Sequence, residues 1–228
     1  MSKRLLCFVW CVFLLSQCTS QHDGVEGSLE SFEGTIIYEF DWINFDTTVP
    51  GIPAEAMSDS LVMYFGPNGE RLWDFIGDKQ YGATFFLYLP EGDTVFIGHA
   101  DTDTLLYYDA SVSMLDSMYM NDAANRSIMG VDCECFTTTI NFEGLESGPF
   151  SEHYCYSDRI CFDPKLYRNH RSEGQNHVYS RMQAPFLYAE FGPPYRRYSY
   201  TATKVTYQKL SASVFAVPNR PKKRMRIE

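Results

Sequence analysis

The chain alternates between apolar and polar positions along much of its length. In TIIYEFDWINF, Ile36, Tyr38, Phe40 and Trp42 share one side, while Thr35, Glu39 and Asp41 take the other. That period of two predicts a strand with one buried face. Residues 59–77 read as a hairpin: Leu61, Met63 and Phe65 point one way, Asn68-Gly69 supplies the turn, and Arg71 to Ile76 returns. ATFFLYLPEGDTVFIGHADTDTLLYYDA yields three more strands, divided at Glu91-Gly92-Asp93 and at Asp101-Thr102-Asp103. Residues 131–142 and about 150–158 pair around the loop EGLESGPF, and FLYAEF pairs with RRYSYTATKVTYQ across Gly192-Pro193-Pro194. Helix signals are sparse. SVSMLDSMYMND (111–122) reads as one helix. DPKLYRN (163–169) reads as another, with Asp163 as N-cap and Pro164 at the first position, and SASVFAVP as a last turn.

About ten short antiparallel strands with one or two short helices predict a mainly β fold. The expected form is a single strongly curved sheet, a half-barrel or partial barrel, over residues 32–218. A closed sandwich is the runner-up architecture, without the spaced cysteines and buried Trp of an immunoglobulin domain. The strand TFFLYL (84–89) is apolar on both faces and needs cover on both. A helix across the mouth of a curved sheet would supply that cover and leave an aromatic hollow beneath it. Tyr38, Phe40, Trp42, Phe85 and Leu87 are the side chains expected to face a ligand there.

The ends of the chain have a different character. Lys3 and Arg4 precede the apolar run Leu5–Leu15, the pattern of a secretory signal over residues 1–20. The run is too short to span a bilayer, which takes roughly 20 residues, and no later stretch is long and apolar enough. LLSQC closes at Cys18 and resembles a bacterial lipobox, so lipidation of Cys18 as a membrane anchor is one expectation; Gln17 departs from the usual small residue. Ordinary cleavage after Ser20 is its rival. Residues 21–31 then form a polar tether. The expected location is the periplasm or outer membrane of a Gram-negative bacterium.

Charge narrows the partners. The 19 basic residues less Lys3 and Arg4 leave 17 against 29 acidic, a balance near −12. Five of those basic residues sit in NRPKKRMRIE, so residues 219–228 read as a basic, disordered tail on an acidic body. Nucleic acid is not an expected partner, because binding it takes a basic face.

Once a signal is removed, four cysteines remain beside Cys18: Cys133, Cys135, Cys155 and Cys161. Their spacing fits neither a zinc ribbon nor a redox C-x-x-C. In an exported chain disulfides are the default. The preferred hairpin pairing joins Cys133 to Cys161 and Cys135 to Cys155, since both pairs centre inside the 143–150 loop. It requires a bulge near Ser157–Arg159. The crossed pairing and reduced thiols stay open. No HExxH, GxSxG, GxGxxG or P-loop is present, so neither an enzyme nor a cofactor or metal is expected. His170 and His177 flank RSEGQN without a carboxylate to complete a metal set. Acidic turns at Asp93, Asp101, Asp103 and Asp109 do not make an EF-hand loop.

FEGTIIYEF, RSIMGVDCECF, YCYSDRICFDPKLY and SVFAVP resemble exported proteins of Bacteroidota grouped as domain-of-unknown-function family 4412. The likeness runs over about 32–218. It includes Ile128, Gly130 and Cys133, then Tyr154, Ser157 and Asp158, then Phe215 and Pro218. Val131 departs from an aromatic in that pattern, and Cys135, Cys155 and Cys161 are additional. The family is similar in outline to periplasmic lipoprotein carriers whose half-barrel sheets hold acyl chains. The resemblance implies envelope location and fold. The functional expectation is a protein that binds or carries an apolar ligand or lipoprotein acyl chain. The alternative is a non-enzymatic structural or interaction protein of the outer membrane.

Overall fold

Strand β1 (Gly34–Phe45) pairs on one side with β2 (Ser60–Phe65) and on the other with β11 (Arg196–Tyr207), antiparallel in both cases. From β2 the sheet continues through β3 (Arg71–Ile76), β4 (Ala83–Leu89), β5 (Thr94–His99) and β6 (Thr102–Asp109) as successive hairpins. From β11 it continues through β10 (Phe186–Phe191), β9 (Phe150–Tyr156), β8 (Val131–Phe142) and β7 (Leu115–Ile128). A short β12 (Lys222–Arg224) pairs parallel with β6 and closes that flank. The computed structural model describes residues 31–45, 60–77, 82–113, 115–142, 149–193 and 196–225. These form one twelve-stranded sheet, not closed, with β12 and β7 at its edges. The expected signal, Cys18 and residues 21–30 of the tether lie outside the described residues.

Contacts between distant strands measure the curvature. Trp73 on β3 and Phe186 on β10 are four strand steps apart, roughly 19 Å in a flat sheet. Their ring centroids are 5.9 Å apart. The sheet therefore bends until strands on both sides of β1 meet over its concave face. Ile36, Tyr38, Leu61, Met63 and Phe65 line the floor of that face and are almost fully buried, as their alternation predicts.

Hairpin turns set the registers. At the β2–β3 turn, Gly69 takes φ +89°, while the Gly66 amide donates to the Glu70 carbonyl at 2.8 Å. Residues 111–113 and 115–122 are not helical. From Leu115 they belong to β7, which pairs with β8 from Leu115↔Phe142 to Ile128↔Val131. Met129 and Gly130, both with positive φ, make the two-residue turn between them. A full-length partner strand overrides a weak helical pattern here. Met118 and Met120, two apart, pack on the core, and Tyr119 between them is exposed.

Residues 157–185, between β9 and β10, fold into the concavity as a plug. Asp163 caps as expected, its Oδ1 accepting from the Lys165 amide at 2.9 Å, but the element it caps is a 3-10 turn, Pro164–Tyr167. The α-helix is α1 (Gln175–Met182), a stretch not expected to be helical. Val178, Tyr179 and Met182 bury one side of it. The rings of Phe162, Tyr167 and Tyr179 pack together, with Tyr167 and Tyr179 stacked at 4.5 Å.

After β11 the chain crosses the back of the sheet. Gln208 donates to the Glu33 carbonyl, and a 3-10 turn at Ala212–Phe215 buries Phe215. A Cβ at Gly66 would meet the Glu70 carboxylate and, at 2.9 Å, the Phe215 ring, so a larger residue there would push on the strap where it crosses. Leu105 N–H then donates to Pro221 at 2.8 Å as the strap reaches β6. The described part of the expected tail, residues 219–225, is ordered: its backbone completes the edge of β6, although the side chains of Lys222–Arg224 stay exposed.

Candidate functional site: a ring-lined hollow in the concave face

The plug does not fill the concavity. Beside it lies a hollow of about 620 Å³. Ile97 on β5 and Tyr108 on β6 wall one side, and Ile140 on β8 and Phe150 on β9 the other. Phe191 and Tyr198 join from β10 and β11. The volume lies within the range of about 300–1,000 Å³ that suits small-molecule sites. A smaller hollow of about 120 Å³ adjoins it, the two sharing Trp73, Phe86, Tyr108, Glu173 and Gln175 as walls.

Most of the polar groups lie beside the plug, and Glu152 stands on β9. Arg71, the first residue of β3, points into the concave face and is 5% exposed. Its guanidinium lies over Tyr179 at 4.7 Å, with Trp73 at 5.6 Å and Tyr167 at 5.7 Å. Such cation–π contacts hold a desolvated cation. Arg71 Nη2 sits 3.3 Å from His170 Nδ1. An arginine can only donate, so Nδ1 accepts and the imidazole is neutral with its proton on Nε2. Burial first, and the adjacent Arg71 charge second, hold His170 well below its ordinary range. Its ring stacks on Tyr88 at 4.3 Å.

Two carboxyls face the hollow. Glu152 on β9 accepts from Tyr154 Oη at 2.7 Å and Thr138 Oγ1 at 3.4 Å, and burial pushes it up to about 7. Glu173, in the plug, is open to solvent within the hollow. Enclosure by protein still raises its carboxyl, against the pull of Arg71. Burial also pushes Tyr108 up to about 12. The site can therefore desolvate an apolar body and offer it a few polar groups.

The expected ligand-facing residues are met only in part. Tyr38 faces inward but is sealed in the floor, its hydroxyl donating to the Phe186 carbonyl. Phe40 and Trp42 pack against Tyr198, which lines the hollow while they do not. Phe85 and Leu87 are corrected: the cross-strand pair Trp73↔Phe86 puts Phe86 and Tyr88 on the concave face and turns Phe85 and Leu87 outward. A strand apolar on both faces carries no periodic signal for its inner side, and a shift of one residue exchanges the faces. Arg71, Trp73 and Phe86 had no distinguishing motif. Inward alternation from Leu61 to Phe65, carried across the hairpin register Phe65↔Arg71, was the signal that locates Arg71.

Cys135 and Cys155 are bonded, directly opposite in register across β8 and β9 with Cα atoms 4.1 Å apart. The expected Cys133–Cys161 bridge is absent, and both thiols are free. The β8–β9 ladder ends at Glu134↔Tyr156, and Ser157–Ile160 turns away instead of bulging. That turn carries Cys161 toward β1, where its carbonyl accepts from Phe32 N–H at 2.7 Å. Among the described residues the one metal-like cluster is Cys135, His153 and Cys155, and its two sulfurs are bonded to each other.

No protein-family model, curated protein or solved structure matches the chain. The site is therefore read from its own geometry.

Proposed function

We propose that the protein is a non-enzymatic carrier of the cell envelope that binds an apolar ligand or acyl chain in the hollow of its curved sheet. The observation that carries this reading is the 620 Å³ space walled by Trp73, Phe86, Phe150, Phe191 and Tyr198, on a face that the plug leaves uncovered. Filling such a space with hydrocarbon gains about 25 cal/mol per Å² of apolar surface removed from water. The signal-like N-terminus and the Cys135–Cys155 bridge support export to the periplasm or outer membrane, with Cys18 as the candidate anchor.

Two measurements test the reading together. Solvent extraction of protein purified from its native membrane fraction is expected to release a bound lipid. The emptied protein is expected to enhance the fluorescence of the neutral dye N-phenyl-1-naphthylamine, and Ile97→Trp, which intrudes on the hollow, to weaken that enhancement while the protein stays folded. No extracted lipid together with no dye response would overturn the proposal.

A further inference from the structure

Buried polar side-chain atoms rarely lack a hydrogen-bond partner. Among the described residues four do: Arg71 Nε and Nη1, Trp73 Nε1 and Ser172 Oγ. All lie on residues that wall the two hollows. Ser172 Oγ stands near the Tyr108 hydroxyl without hydrogen-bond geometry to it. The other three atoms are obligate donors. The unmet demand is thus for an acceptor, and it is concentrated at one end of a ring-lined space.

Arg71 adds charge to that demand. Its guanidinium is desolvated, yet among the described residues no carboxylate approaches within salt-bridge distance of it. A buried cation with no counter-ion is costly unless something pairs with it. Of the groups around the smaller hollow, His170 is neutral, Tyr88 and Tyr108 keep their protons, and Glu173 is the sole acid. The fork of an arginine matches a carboxylate with two parallel hydrogen bonds. A space of about 120 Å³ beside Arg71 is enough for a compact oxyanion.

We propose that Arg71, assisted by Trp73 Nε1, receives the carboxylate of a long-chain carboxylic acid whose hydrocarbon tail occupies the larger hollow. This rests on the carrier reading and names its ligand class: a single free acid, with the head at β3 and the plug and the tail toward Phe150 and Phe191. Glu173 competes for the same cation, so its ionised form opposes the ligand.

The test displaces N-phenyl-1-naphthylamine from the full-length protein with laurate, 1-dodecanol or dodecyl phosphate, three compounds with the same chain and different heads. Laurate is expected to displace the dye at a concentration at least tenfold lower than dodecanol. Arg71→Met, with folding checked by circular dichroism, is expected to erase that difference by weakening laurate far more than dodecanol. Arg71→Lys should retain part of the preference, and Glu173→Gln should strengthen laurate severalfold. Equal displacement by laurate and dodecanol in the unaltered protein, or a preference that survives Arg71→Met, overturns the carboxylate assignment and leaves the carrier reading standing. A tenfold preference for dodecyl phosphate also overturns it, assigning the site to phosphate. If the dye does not bind and no lipid is extracted, the carrier reading fails and this inference with it; an extracted lipid that lacks a free carboxyl overturns this inference alone.

Discussion

The Tyr38 hydroxyl donates to the Phe186 carbonyl at 2.7 Å, joining β1 to β10 over the intervening β11. Two strands that are not neighbours in the sheet are thereby clasped on its concave side, and Tyr38 and Phe186 also pack ring to ring at 5.0 Å. Tyr38→Phe keeps the packing and removes the clasp. Urea unfolding is expected to show a loss of about 1–2 kcal/mol, the range for a buried hydrogen bond that leaves an acceptor behind. Tyr38→Ala removes the ring as well and is expected to cost about 3–5 kcal/mol. An unchanged midpoint in Tyr38→Phe would mean that the floor holds its curvature without this bond.

The cysteines divide into one bonded pair and two thiols. Cys135→Ser, which breaks the bridge, is expected to lower stability by about 2–4 kcal/mol. Cys161→Ser, outside any bridge, should leave stability nearly unchanged. Burial raises the Cys133 thiol, whereas Cys161 is only partly buried. The thiolate is the reactive form, so iodoacetamide should label Cys161 well before Cys133, as read by peptide mass spectrometry. Recovery of a peptide linking Cys133 to Cys161 would contradict the structure.

Stability should depend on pH through Glu152. Its folded-state value of about 7 lies above the ordinary 4.5, because burial penalises the charged form. The stability it contributes is fully present below about pH 4.5 and is lost as pH rises through 7. Raising the pH from about 5 to 8 should therefore cost on the order of 2–3 kcal/mol from this group. Glu152→Gln keeps an acceptor for Tyr154 and should flatten that part of the curve. The difference between the two proteins' unfolding free energies across pH is the measurement, and parallel curves would reject the assignment.

Much of the sheet was legible because alternation is a local property. The β2–β3 hairpin, the strands β4 to β6 and the β10–β11 pair arise from side-chain period and turn residues only a few positions apart. The same logic identified the Cys135–Cys155 bridge, since hairpin register ties those two positions together. It failed for β7, whose strand state depends on β8 as partner. It failed for Cys161 because register ends where a strand ends, and nothing local marks that the chain leaves β9 after Tyr156. The ordered strap was hidden for a related reason: Lys222–Arg224 is a strand only because β6 offers a free edge, and its composition is that of a solvated tail.

The sequence by itself determined a mainly β chain, its hairpin order and the apolar side of most strands, because each depends on neighbours along the backbone. Only the tertiary structure decided how far the sheet bends, which segment plugs it, and that Arg71, Trp73, Glu173 and Tyr198 surround one hollow. Those residues come from distant stretches of the chain, and their meeting depends on strand twist and packing accumulated across the whole sheet. No short pattern in the sequence records that sum.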